Sequence, residues 1–82
     1  NPFNPTTIIK FIVGDTYYAS PTSVLLRVYN ILGKEVVTLI NEDKYAGSYE
    51  IEFNALNLAG GVYFYSLNTG EFRMTKKMTL LK

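Results

Sequence analysis

Seven carboxylates and eight Lys or Arg side chains carry the charge of this sequence, which has no Cys, no His and no Trp. General acid-base chemistry by paired carboxylates needs two of them to converge in a sheltered cleft. The nearest pairs in sequence are Glu42 with Asp43 and Glu50 with Glu52. The first reads as part of a charged turn, Asn41 to Lys44, and the second as the outer face of one strand, so both are expected in solvent. Asn41 to Asp43 offers oxygens to calcium but lacks the alternating ligand spacing and the closing Glu of a dedicated loop. With no thiol or imidazole there is no Cys nucleophile, no histidine base, no zinc site and no disulfide. The expectation is a domain that catalyses nothing and holds no metal or cofactor.

Two groups of side chains offer binding chemistry instead. Tyr17 and Tyr18 lie in a polar segment with no periodic reason to be buried, and exposed Tyr rings stack on sugars or anchor protein interfaces. They are the candidate contacts for a glycan or protein ligand. Tyr49, Tyr63 and Tyr65 fall at strand periodicity beside aliphatic residues and read as packing. Basic residues gather late in the chain. Arg73, Lys76, Lys77 and Lys82 face only Glu71, a net of +3, while the whole chain is +1 and the remainder is therefore −2. Such a positive end suits an acidic partner, and Lys on an edge strand also blocks sheet-to-sheet aggregation. Four basic residues are too few for a nucleic-acid face.

The elements that must position these residues are strands. At 82 residues the chain is expected to be one small domain, 1–82, with Asn1 to Thr6 as the end of a linker held extended by Pro2 and Pro5. No apolar run reaches the roughly 20 residues of a membrane span, and no amino-terminal export signal is visible. Alternation sets Ile9, Phe11 and Val13 against Ile8, Lys10 and Ile12, a strand buried on one face and partly covered on the other. Val24, Leu26 and Val28 likewise face inward while Arg27 faces solvent. Gly33 tolerates positive φ, which predicts a hairpin into Glu35 to Ile40. There the parity is mixed, because Val36, Val37, Leu39 and Ile40 follow no single face, so a bulge or a strand covered on both sides is expected. Tyr49, Ile51 and Phe53 alternate with Glu50 and Glu52. Asn54 to Gly61 reads as a looped crossover whose Leu56 and Leu58 plug one end of the core. Val62 to Leu67, a turn at Asn68 to Gly70, and a long last strand to Leu81, with a kink near Thr75, complete an all-β, immunoglobulin-like antiparallel β-sandwich of six to seven strands. Strand order is left open.

Four segments together resemble a known family. Asn1-Pro-Phe-Asn-Pro-Thr-Thr-Ile-Ile-Lys-Phe11, Val28-Tyr-Asn-Ile-Leu-Gly-Lys-Glu-Val36, Leu58-Ala-Gly-Gly-Val-Tyr-Phe-Tyr65 and Thr75-Lys-Lys-Met-Thr-Leu-Leu-Lys82 occur in the order and spacing of the type A carboxy-terminal sorting domain of the bacterial type IX secretion system. A more distant likeness, to the immunoglobulin-like domain of flagellar hook-capping proteins, supports the same fold, and a terminal Lys82 is where sorting domains stop. The resemblance implies a non-catalytic address at the end of a large secreted protein of the Bacteroidetes and related phyla. Its implied partners are the cargo domain ahead of it, the outer-membrane translocon, and a sortase that removes the domain near or upstream of Asn1. The implied location is the cell surface or medium, reached through the periplasm and outer membrane. Carried over by position, translocon recognition falls on Lys76, Lys77, Met78, Leu80, Leu81 and Lys82, while Gly60, Gly61, Val62 and Tyr63 match a motif with an equally good structural reason, a tight bend into a strand. Two further readings stay open. One is an accessory binding domain acting through Tyr17 and Tyr18, and the other is a spacer that pairs weakly with a second copy through an edge strand.

Overall fold

The structure is a computed structural model, and it describes residues 6–14, 21–70 and 72–81. The strands are β1 (Thr6–Val13), β2 (Thr22–Asn30), β3 (Glu35–Lys44), β4 (Gly47–Asn54), β5 (Gly61–Thr69) and β6 (Phe72–Leu80). All pairings are antiparallel and form two sheets, β1-β4 and β3-β2-β5-β6. The order left open by the sequence is that of an immunoglobulin sandwich. In that fold β1 and β4 correspond to strands B and E, β2, β5 and β6 to C, F and G, and β3 to the additional C′ beside C.

One buried cluster joins the layers. Ile9, Phe11, Val13 and Phe53 come from the smaller sheet, and Val24, Leu26, Val28, Ile40, Tyr63 and Leu67 from the larger. The inward parity of β1, β2 and β4 is the one the alternation predicts. Phe11 also stacks on Tyr49, with ring centroids 5.6 Å apart, which fixes the register of the small sheet from within. The other face of β1 is less covered than its apolar content suggests, since Ile12 is 70% exposed. Among the described residues no third strand joins the small sheet.

The mixed parity of β3 has a plain cause. Leu26 pairs with Ile40 but Arg27 with Thr38, and Val28 pairs with Val37 but Tyr29 with Glu35, so Leu39 and Val36 are each extra residues on the β3 side. Every such insertion reverses which face the next residue takes, and Val36, Val37, Leu39 and Ile40 all reach the core. Four details differ from the sequence reading, the first being that Asn68 and Thr69, expected in a turn, continue β5 and pair with Arg73 and Phe72, so the hairpin turns after Thr69. Asn41 to Lys44 continues β3 instead of turning, and the turn falls at Tyr45 and Ala46. Of the two leucines expected to plug the core, Leu58 packs against it while Leu56 is exposed, and the residue sealing that end is the small, fully covered Ala55. β6 pairs with β5 without a register break from Phe72 to Leu80, so Thr75 marks no kink.

Candidate recognition site

β6 is an edge strand: β5 binds one side of it and the other side has no strand neighbour among the described residues. Alternation divides its residues between two jobs. Met74, Met78 and Leu80 pack against the core, whereas Arg73, Thr75, Lys77 and Thr79 take the outer face of the larger sheet. Lys76 shares parity with Met74 and Met78, pairs across from Tyr65, and nonetheless stays exposed. A charge at an inward position of an edge strand disfavours indiscriminate pairing with other sheets. Within the expected recognition set, Lys76, Lys77 and Leu81 are therefore accessible, Met78 and Leu80 hold the strand down, and Lys82 lies outside the described residues.

Gly60 to Tyr63 enters β5 beside the end of β6, where Gly61 pairs with Leu80. Gly61 has φ 144°, which side-chain-bearing residues rarely adopt. Tyr63 is buried, and its hydroxyl donates a 2.8 Å hydrogen bond back to the carbonyl of Ala59. A Tyr at the start of the F-equivalent strand, bonded to the backbone a few residues upstream, is the tyrosine corner of immunoglobulin-like folds. Its ring fills the core while its hydroxyl ties down the β4–β5 crossover, which gives Tyr63 a structural task.

At the same end of the larger sheet the β2–β3 turn is held by one side chain. Asn30 Oδ1 accepts hydrogen bonds from the backbone N–H of Leu32 at 2.9 Å and of Lys34 at 3.0 Å. The Asn30 main chain closes the loop with Lys34 and Gly33, and Gly33 takes φ 83° as the hairpin reading requires. Asn30→Ala removes both side-chain bonds at an exposed position and should cost about 1 kcal/mol, lowering the melting temperature by about 4–8 °C in a thermal scan.

The outer face of the larger sheet holds a grouping that the sequence did not announce. Arg27 meets Glu35 at 3.5 Å and lies over the Tyr29 ring at 5.7 Å, while Arg73 Nε donates to Asn68 Oδ1 at 3.0 Å. Arg27, Tyr29, Asn68 and Arg73, with Phe64, Ser66 and Thr75, line an open depression of about 390 Å³. Alternation alone gives each residue its face, but only the β2-β5-β6 order sets them side by side.

The remaining candidates do not converge. Glu50 forms a surface pair with Lys10 at 3.9 Å and Glu42 one with Lys44 at 3.1 Å, contacts worth little in solvent. Among the described residues no group of three or more acidic side chains is placed to hold a metal ion. Tyr17 and Tyr18 lie outside the described residues. No helix among the described residues is long and apolar enough to cross a membrane.

Compared with known proteins, residues 1–80 match a family model described as the secretion system C-terminal sorting domain. No curated protein and no solved structure matches the chain.

Proposed function

The chain belongs to the family of secretion system C-terminal sorting domains, and from that membership we propose that β6 is the strand through which it is read. As a member it is a carboxy-terminal signal for type IX secretion that directs a linked cargo to the cell surface or medium, and the machinery of that system is its partner. Domains of this family are in general not catalytic. In our reading Lys76, Lys77, Leu81 and Lys82 contact the translocon, while Met78 and Leu80 keep the strand in its register. Gly60, Gly61, Val62 and Tyr63 build the bend against which β6 ends. Residues 1–82 act as one sorting domain, with the residues ahead of Thr6, where β1 already begins, closing a linker to the cargo, and a sortase cuts near or upstream of Asn1.

The observation carrying this reading is the two-sidedness of β6, which is bound to β5 along one side, unpaired by any described strand along the other, and rimmed by exposed lysines. An edge strand of this kind accepts a partner strand through its main chain and selects it through alternate side chains. The same edge would support weak pairing between two copies.

The test is export of a periplasmic reporter fused ahead of Asn1, in a host with an intact type IX system and in the same host lacking its translocon. Export should occur only in the intact host, and removing residues 79–82 should abolish it. Because that deletion also removes Leu80 from the core, Lys77→Glu combined with Leu81→Ser provides the folded comparison. Full export of the double variant would place recognition elsewhere on the domain.

A further inference from the structure

Eight large hydrophobic side chains among the described residues are exposed, and the most exposed is Leu32, at 88%, with its neighbour Ile31 at 67%. Both occupy the tip of the β2–β3 turn, a place where polar residues ordinarily satisfy solvent. The turn presenting them is not loose. The Asn30 carboxamide, two main-chain bonds between Asn30 and Gly33 or Lys34, and the positive φ of Gly33 fix its shape. A rigid turn ending in two adjacent uncovered aliphatic side chains loses little conformational freedom when those side chains enter a pocket.

Its position is equally informative. Asn30 pairs with Tyr63 on β5, and Gly61, two residues before Tyr63, pairs with Leu80 on β6. The turn tip, the entry to β5 and the end of β6, where Leu81 is 74% exposed, therefore lie at one end of the larger sheet. Cations flank this apolar set, with Lys34 next to the tip and Lys77 exposed on β6. The carboxylate nearest the tip in sequence, Glu35, is engaged by Arg27. What would fit this end is an apolar recess with carboxylates at its rim.

We propose that Ile31 and Leu32 form a preshaped apolar anchor that seats in a pocket of the secretion machinery, lined by aliphatic or aromatic side chains and rimmed by acidic residues. The anchor rests on the sorting reading above and adds to it a second contact, on a different strand connection from β6. Aromatic and Arg side chains are the commoner energetic foci, but two aliphatic side chains desolvated together in a central pocket, with a lysine at the rim, share the arrangement of one.

The experiment uses the same reporter fusion with three variants, each checked by thermal melting. Ile31→Ser with Leu32→Ser removes the anchor from solvent-exposed positions. Lys34→Glu reverses the rim charge while leaving the turn intact, because the Asn30 bonds use only the main chain of Lys34. Ile12→Ser removes an equally exposed aliphatic side chain from the other sheet. The double serine variant should melt within a few degrees of the parent, yet its export should fall at least about tenfold. Lys34→Glu should reduce export several-fold, and Ile12→Ser should leave it at the parent level. Parent-level export of the double serine variant, or an equal loss from Ile12→Ser, overturns the anchor while leaving the sorting reading standing. Parent-level export of Lys34→Glu overturns the acidic rim. Flotation of the purified parent, but not the double serine variant, with phosphatidylglycerol vesicles would assign the tip to a bilayer and overturn the protein pocket. A parent fusion that is not exported overturns the sorting reading and the anchor with it.

Discussion

Leu26→Ala should leave the domain close to its unfolding transition at 37 °C, whereas Leu25→Ala, one residue away, should be tolerated. Leu26 is fully buried at the middle of β2, between Ile40 on β3 and Leu67 on β5. Two hydrogen-bonded neighbour strands prevent the backbone from collapsing into the space a truncated side chain leaves, so the upper part of the usual range applies, about 3–5 kcal/mol. A domain of this length has a total stability of about 4–12 kcal/mol, so the loss is a large share of it. In a thermal scan the expected fall is about 12–40 °C. Leu25 is half-buried on the opposite face and its truncation should cost about 1 kcal/mol or less. A shift of equal size in the two variants would mean that the inward parity assigned to β2 is wrong.

The second large effect separates framework from address. Tyr63→Ala removes a buried ring together with its hydroxyl bond to Ala59 and should cost about 3–5 kcal/mol. Tyr63→Phe keeps the ring, loses the bond, and should cost about 1–2 kcal/mol. If Tyr63 serves the fold alone, the Phe variant, assayed below its melting temperature, exports a reporter as well as the parent does. The Ala variant should fail only to the extent that it is unfolded by circular dichroism. Loss of export by a fully folded Phe variant would instead give the hydroxyl a direct part in recognition.

Much of the architecture is legible in the chain because alternation, Gly and Pro act locally. The inward faces of β1, β2 and β4, the positive φ at Gly33 and the irregularity of β3 all follow from residues close together in sequence. Partner choice does not, since β1 with β4 and β2 with β5 is decided by how two faces share one core, which no local pattern encodes. Leu56 shows the limit in miniature. A leucine in a crossover looks like a plug, but of the two leucines there only Leu58 packs against the core, while Leu56 is exposed beside the buried Ala55. For the candidate site, the sequence locates the segments, and only the pairing of Gly61 with Leu80 and of Asn30 with Tyr63 reveals that three of them meet at one end. The tyrosine corner was hidden for the same reason, because its acceptor is a main-chain carbonyl that composition cannot distinguish from any other.

The pairing of β1 with β4 and β2 with β5 also sets a clock. Each joins strands separated by intervening elements, so a long loop must close before the contact gives any return, and sandwiches of this kind fold in milliseconds to seconds. β6 joins β5 through the hairpin at Gly70, and hairpins of that kind form in about 1–10 μs once a template strand is in place. The long-range pairing, and not the β5–β6 hairpin, thus limits when β6 sits in a completed sheet, the form in which we propose that it is read. A receptor that binds β6 only in its sheet would respond to the completion of folding as much as to sequence, and chains still searching for their partners would pass it unread.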